Sequence, residues 1–295
     1  MSAARIDADR GRHTSQDGPT TVTKDKTKDL TTTAPQGGYG MSARAQQVVA
    51  LLKAIETRAQ EPMGVINPAK YIQHNVAVAD GPAGVAQLLK ELPRDSTRVN
   101  TVRVFEDGDF VVAHSEYNFF GPKIGFDVFR FEDGLIVEHW DNLQETAGPN
   151  PSGHTMIDGP TAPTDLDSTE ANKALVRRLV DDILVNGRME LLAGYFDGDN
   201  YIQHNPHIAD KVSGLGAAMR AWAEKGISLK FDRVHKILAQ GSFVLAISEG
   251  ALGGQHTAFY DLFRVQDGKI AEHWDVLEAM VPQEQWKNPN GKFGF

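Results

Sequence analysis

Tyr71-Ile72-Gln73-His74-Asn75 recurs without change as Tyr201-Ile202-Gln203-His204-Asn205, and each copy reaches an Ala-Asp pair after the same interval, Ala79-Asp80 and Ala209-Asp210. Downstream, Asp127-Val128-Phe129-Arg130 is matched by Asp261-Leu262-Phe263-Arg264. Glu138-His139-Trp140-Asp141 is matched in turn by Glu272-His273-Trp274-Asp275. Anchors in one order at nearly one spacing mean a tandem duplication with small loop insertions. A repeat on the order of 100 residues is a domain, because solenoid repeats run to about 20–50.

Between the copies lie Gly148-Pro149-Asn150-Pro151-Ser152-Gly153 and Gly159-Pro160-Thr161-Ala162-Pro163. Such Pro/Gly-rich composition reads as a linker over 151–164, separating domains at 41–150 and 165–295. Residues 1–40 hold only Ile6, Val22 and Leu30 as large aliphatics among Thr, Asp, Lys, Arg and Gly, which predicts a disordered tail.

In each copy helices come first. Val48, Val49, Leu51, Leu52 and Ile55 have helical spacing behind a Ser42 cap, as do Leu175, Val176, Leu179, Val180, Ile183 and Leu184 over 169–186. A second helix is expected at 84–92 and at 214–225. Short β-like runs follow, punctuated by Asp107-Gly108, Asp133-Gly134 and Asp267-Gly268, which are hairpin signals. Helices followed by three or four antiparallel strands predict an α+β domain whose helices cover one sheet face and leave a pocket at one end.

The chain has 295 residues, 41% apolar and 23% charged, no cysteine and a formal net charge of -9. An acidic balance argues against a nucleic-acid partner. No apolar run approaches the roughly 20 residues of a membrane span, and no signal peptide is evident; no membrane association and a cytoplasmic location are expected. Without thiols, chemistry falls to His, Asp, Glu and Tyr.

Strand alternation puts His139 with Asp141, and His273 with Asp275, on one face, with Trp140, Trp274, Glu138 and Glu272 on the other. An imidazole two residues from a carboxylate bonds it directly or through water, which fixes its tautomer; the same pair also fits a structural contact at a sheet rim. Asp127 and Asp261 precede them among aromatics. An Asp on such a face is raised in pKa by desolvation unless paired, which suits a general base; the alternative is a buried Asp bonded to a backbone amide, Arg130 or Arg264. If the pentapeptide is extended, Tyr71, Gln73 and Asn75 lie opposite Ile72 and His74, with the same split among Tyr201, Gln203, Asn205 and His204. His74 and His204 are then either pocket or structural histidines. His114, Glu116 and Glu249 are further pocket candidates. Two His and a carboxylate also resemble a metal triad, but His-x-x-x-His spacing and phosphate loops are lacking, so no metal and no cofactor are expected.

The segment Tyr201 to Pro206 with Ala209-Asp210, and the run from Asp261 to Asp275, resemble the SnoaL-like polyketide cyclase branch of the NTF2-like superfamily. The resemblance covers both repeats and implies two tandem cone-shaped domains, each with helices packed on a strongly curved, mainly antiparallel sheet around one pocket. Relatives include cyclases that close rings by aldol condensation and ketosteroid isomerases, both using a pocket carboxylate to remove a proton α to a carbonyl. It implies Asp127 and Asp261 as that carboxylate, with His74, His204, His139 and His273 as catalytic partners. Tyr71, Tyr201, Gln73, Gln203, Asp141, Asp275, Trp140, Trp274, His114, Glu116 and Glu249 are implied as substrate contacts. The tandem copy implies an intrachain pseudo-dimer, open to further homo-oligomerisation. A cofactor-independent acid/base enzyme for a small carbonyl compound is the first expectation, and a non-catalytic small-molecule binding protein the alternative.

Overall fold

A computed structural model describes residues 40–295. The tail read over 1–40 lies, except for Gly40, outside the described residues.

The first half opens with α1 (Ala43–Thr57), whose Ser42 hydroxyl accepts from the Ala45 N–H at 3.1 Å and caps the helix. The pentapeptide supplies β1 (Ile72–Gln73), and α2 (Gly81–Glu91) follows. Then come β2 (Arg98–Asp107), β3 (Phe110–Asn118), β4 (Pro122–Glu132) and β5 (Leu135–Glu145). The second half repeats this order. It runs through α3 (Thr169–Leu179) with a π-helical turn at Val180–Val185, β6 (Ile202–Gln203) and α4 (Val212–Glu224). It ends in β7 (Leu229–Gln240), β8 (Phe243–Leu252), β9 (Gln255–Gln266) and β10 (Lys269–Ala279).

The sheets have the orders β1-β5-β4-β3-β2 and β6-β10-β9-β8-β7, antiparallel except that β1 and β6 lie parallel to β5 and β10. Asp133-Gly134 and Asp267-Gly268 turn β4 into β5 and β9 into β10 with positive φ at both residues, as a tight primed turn requires. The recurrent Ala-Asp pair also has a task. Asp80 and Asp210 accept from the Gln73 and Gln203 amides at 2.9 and 3.0 Å and pin the pentapeptide to the sheet edge.

Alternation gives each sheet two buried faces. On one, α1 packs over Val111, Ala113, Phe129 and Ile136, while α3 packs over Val244, Ala246, Phe263 and Ile270. On the other, the sheets pack against each other, with Phe105, Phe126 and Trp140 meeting Phe243, Tyr260 and Trp274 in one cluster. β5 and β10 also exchange backbone-to-side-chain hydrogen bonds: the Leu143 N–H donates to Glu278 Oε2 and the Leu277 N–H to Gln144 Oε1.

Residues 151–164, read as a linker from composition, are also a packed element. Met156 is buried in the inter-sheet cluster, and Asn150 donates to the carbonyls of Gln203 and Ile208 in the second half. Arg103 holds the same stretch from below through the carbonyls of Ile157 and Pro160 at 2.9 and 2.7 Å. The C-terminal stretch answers it: Asn288 donates to the carbonyls of Asn75 and Val78, and Asn290 to that of Gln73, in the first half. Each half thus sends an arm across the other, and both arms read Asn-Pro-x-Gly, at 150–153 and 288–291.

Both arm asparagines are buried. Replacing either removes two hydrogen bonds to backbone carbonyls, of which only that of Asn75 keeps a second donor among the described residues, the Val78 N–H, so Asn150→Ala and Asn288→Ala are each expected to cost about 1–3 kcal/mol in urea unfolding. The two sites share no partner, so their costs should add in the double variant. Losses below about 0.5 kcal/mol would show that the arms merely lie on the surface.

Candidate functional site

Register builds the site. Asp127 lies opposite Asp141 across β4 and β5, and Asp261 opposite Asp275 across β9 and β10, all four facing the helices. His139 and His273, two residues before the second Asp, share that face. His139 Nε2 lies 3.0 Å from Asp127 Oδ1, and His273 Nε2 3.0 Å from Asp261 Oδ1. The other ring nitrogen of each meets Oε1 of Gln73 or Gln203 at 3.1 Å. That atom is fixed as the oxygen because it also accepts from the Asn75 or Asn205 N–H at 2.9 Å. Both ring nitrogens therefore face acceptors, a geometry that suits an imidazolium held by a carboxylate.

Charge in the second half follows this geometry. Burial opposes protonation of His273, but the Asp261 hydrogen bond and the charges of Asp275 and Asp261 outweigh it and raise its pKa. Burial, with the Asp261 charge beside it, also raises the pKa of the Asp275 carboxyl. Asn205 Nδ2 donates to Asp275 Oδ2 at 2.7 Å, as Asn75 does to Asp141. Asp261 Oδ2, Asp275 Oδ1 and Asp141 Oδ1 are buried with no hydrogen-bond partner among the described residues.

The halves differ at one rung. Tyr117 donates its hydroxyl to Asp127 Oδ2 and lies over Gly125. In the second half the register puts Gly250 in the place of Tyr117 and Phe259 in that of Gly125. No hydroxyl reaches Asp261 Oδ2 there. Gly250 faces the Lys230 carbonyl so closely that no side chain fits.

A cavity of about 290 Å³ lies on the helix-covered face of the second half, one rung beyond Asp275. Trp222, Leu252 and Leu277 give it an apolar wall, Asn205, His207 and Thr257 polar positions, and Gln144 of the first half closes one side. Its connection to the cluster is Asn205, which lines it and bonds Asp275.

His74 and His204, expected as pocket partners of the Asp residues, are on the opposite face. Because β1 pairs Gln73 with His139, Gln73 shares the face of His139 and the next residue turns away; β6 repeats this. His74 bonds Glu138 at 2.9 Å and stacks on Trp140 at 4.6 Å, and His204 bonds Glu272 at 2.8 Å and stacks on Trp274 at 4.6 Å. Trp140 and Trp274, expected as substrate contacts, are therefore fully inside the inter-sheet core. Arg130 and Arg264, the alternative partners weighed for Asp127 and Asp261, pair with Glu138 and Glu272 instead. His114, also expected in the pocket, stacks on Phe126 in that core, its pKa held well below the ordinary value by burial and Arg103. Glu116 accepts from Asn100, and Glu249 pairs with His235 and His256, so neither reaches the cluster. Tyr71 and Tyr201 are buried on the helix side, and Tyr201 accepts from Gln203 Nε2 at 3.0 Å.

Sequence reading missed Tyr117, although alternation from Ala113, the register partner of Asp127, places it on that face. It missed Gln144, which no pattern within its own half could assign to the other half's cavity. Asp127 with His139 and Asp141, and Asp261 with His273 and Asp275, each bring one ligand-type atom per residue within 4.8 Å of the others, as do His154, Asp158 and His204. A cation in either buried cluster would need ionised carboxylates and an imidazole Nε2 free of its proton, so binding would release that proton from the cluster.

His273 is expected to titrate above 6.5, and Asp261→Asn to lower that value, followed through the His273 ring proton by NMR. A group raised in the folded state stabilises below its unfolded pKa and loses that contribution as pH climbs through the folded value. Unfolding free energy should therefore fall above pH 6.5, less steeply in Asp261→Asn. An unchanged His273 titration in that variant would sink the pairing.

No curated protein matches the chain. TsrD from Streptomyces laurentii aligns at 19% identity, covering 36% of this chain and 92% of its own, with a TM-score of 0.30. IdmH, a candidate polyketide cyclase from Streptomyces antibioticus, aligns at 16%, covering 35% and 93%, with 0.31. An NTF2-like protein of unknown function from Cytophaga hutchinsonii aligns at 13%, covering 37% and 95%, with 0.31. Residues 176–273, from α3 to the centre of β10, match the SnoaL-like domain.

Proposed function

We propose that the protein is a cofactor-independent acid/base enzyme that enolises a small carbonyl compound, on two domains joined by duplication into an intrachain pseudo-dimer. The observation carrying this reading is the buried Asp261–His273–Asp275 cluster, in which each carboxyl keeps one oxygen without a hydrogen-bond partner among the described residues and burial raises the pKa of Asp275. Two carboxyls in different surroundings can divide the work of base and acid. Asp261 Oδ2 removes the α-proton, while His273 orients Asp261 through Oδ1. Asp275, shifted by burial toward its neutral form, donates a hydrogen bond to the carbonyl oxygen as it gains enolate charge. Asn205 orients Asp275. The enolate carbon then takes up a proton in isomerisation or attacks a second carbonyl in aldol closure. The SnoaL-like match over 176–273 supports the same class of chemistry, whose cyclases and isomerases work through a pocket carboxylate.

A binding protein is the second reading, and one observation favours it: the cavity wall contains no carboxylate, and Asn205 stands between it and Asp275. Exchange of the α-protons of 2-tetralone in D2O, read by NMR, separates the two. The wild type should accelerate exchange, and Asp127→Asn/Asp261→Asn should lose at least about 100-fold of it. A double variant exchanging as fast as the wild type would overturn acid/base catalysis.

A further inference from the structure

We infer that the two pockets are not equivalent: the second half takes an uncharged, largely apolar small molecule, while the corresponding pocket of the first half is filled by the chain's own Lys292. This rests on reading the helix-covered face as a small-molecule pocket.

Lys292 belongs to the C-terminal arm and its side chain is fully buried. Its Nζ lies 2.7 Å from Glu278 Oε2 and 3.6 Å from Asp141 Oδ1. Asp141 is the first-half counterpart of Asp275, so the ammonium sits where a ligand would approach that carboxyl. The arm is held there on both sides: Asn288 and Asn290 bond the backbone of the first half, and Phe295 stacks on Trp140 at 4.4 Å. The other arm places His154, not a lysine, after its Asn-Pro-x-Gly turn, and His154 turns outward to Asp210 at 3.3 Å.

The walls agree with this difference. Strand register matches Thr257 with Lys123, Ala279 with Glu145, and Gln144 with Glu278. Three neutral positions around the open cavity are thus charged around the first-half pocket. The open cavity has no Asp, Glu, Lys or Arg in its wall, so an ionic ligand would be desolvated there without a partner. The arm's ammonium joins Asp141 of the first half to Glu278 of the second. Tyr117 closes the same pocket from below by occupying Asp127 Oδ2, the atom whose counterpart on Asp261 is free.

The test is amide NMR of the full chain titrated with 2-tetralone. Saturable shifts are expected at Thr257, Leu277 and Ala279, and none at Lys123, Leu143 and Glu145. Shifts at both sets, at the first-half set alone, or at neither would overturn the inference. Glu278→Gln/Lys292→Ala should open the first pocket and raise the bound ketone from one to two per chain, with the second-half shifts in the same sample reporting that the fold is intact. A first half that stays silent in that folded variant overturns the role of Lys292. Shifts confined to the second half without α-proton exchange would remove the acid/base reading and leave this inference standing. Exchange accompanied by first-half shifts would do the reverse.

Discussion

The central residues of β5 and β10 answer to one of two interiors, because a strand has no third direction in which to point a side chain. His139 and Asp141 serve the helix-covered face while Glu138 and Trp140 serve the inter-sheet core, and His273, Asp275, Glu272 and Trp274 do the same. Neither interior can be altered alone. A one-residue slip of β10 would bury the acid cluster between the sheets and expose Trp274 to the pocket. The tight Asp-Gly turns that set register at the start of both strands therefore hold the chemistry as much as the fold.

The same rule explains what the parallel edge strand contributes. A two-residue strand is too short to stabilise a sheet by itself. Its worth lies in what it delivers at the sheet edge: Gln73 or Gln203 behind the imidazole on one face, His74 or His204 against the indole on the other. Four hydrogen-bonding side chains in five residues divide between two environments, and each finds partners there.

Much of this was legible in the sequence. The recurrent anchors, the helices ahead of the strands, the Asp-Gly turns and the grouping of His139 with Asp141 are all local patterns. The side taken by His74 did not, because alternation fixes relative faces and leaves open which face is the pocket; the pairing of Gln73 with His139 decides it, and pairing is a long-range fact. The packed role of 151–164 was hidden for a similar reason. Proline and glycine mark the absence of regular structure, which is no measure of burial. The arm asparagines bond backbone carbonyls of the opposite half, contacts that leave no imprint on either half's own pattern.

Crossed arms also give the molecule an order of completion. A ribosome releases residues 41–150 well before residue 288 exists, so the Val78 carbonyl waits for the Asn288 amide through the whole synthesis of the second half. The earlier-made half is finished by the later-made one. A nascent chain stalled short of the second Asn-Pro-x-Gly turn would present a first half whose sheet is paired but whose pocket mouth still exposes Asp141 without its ammonium.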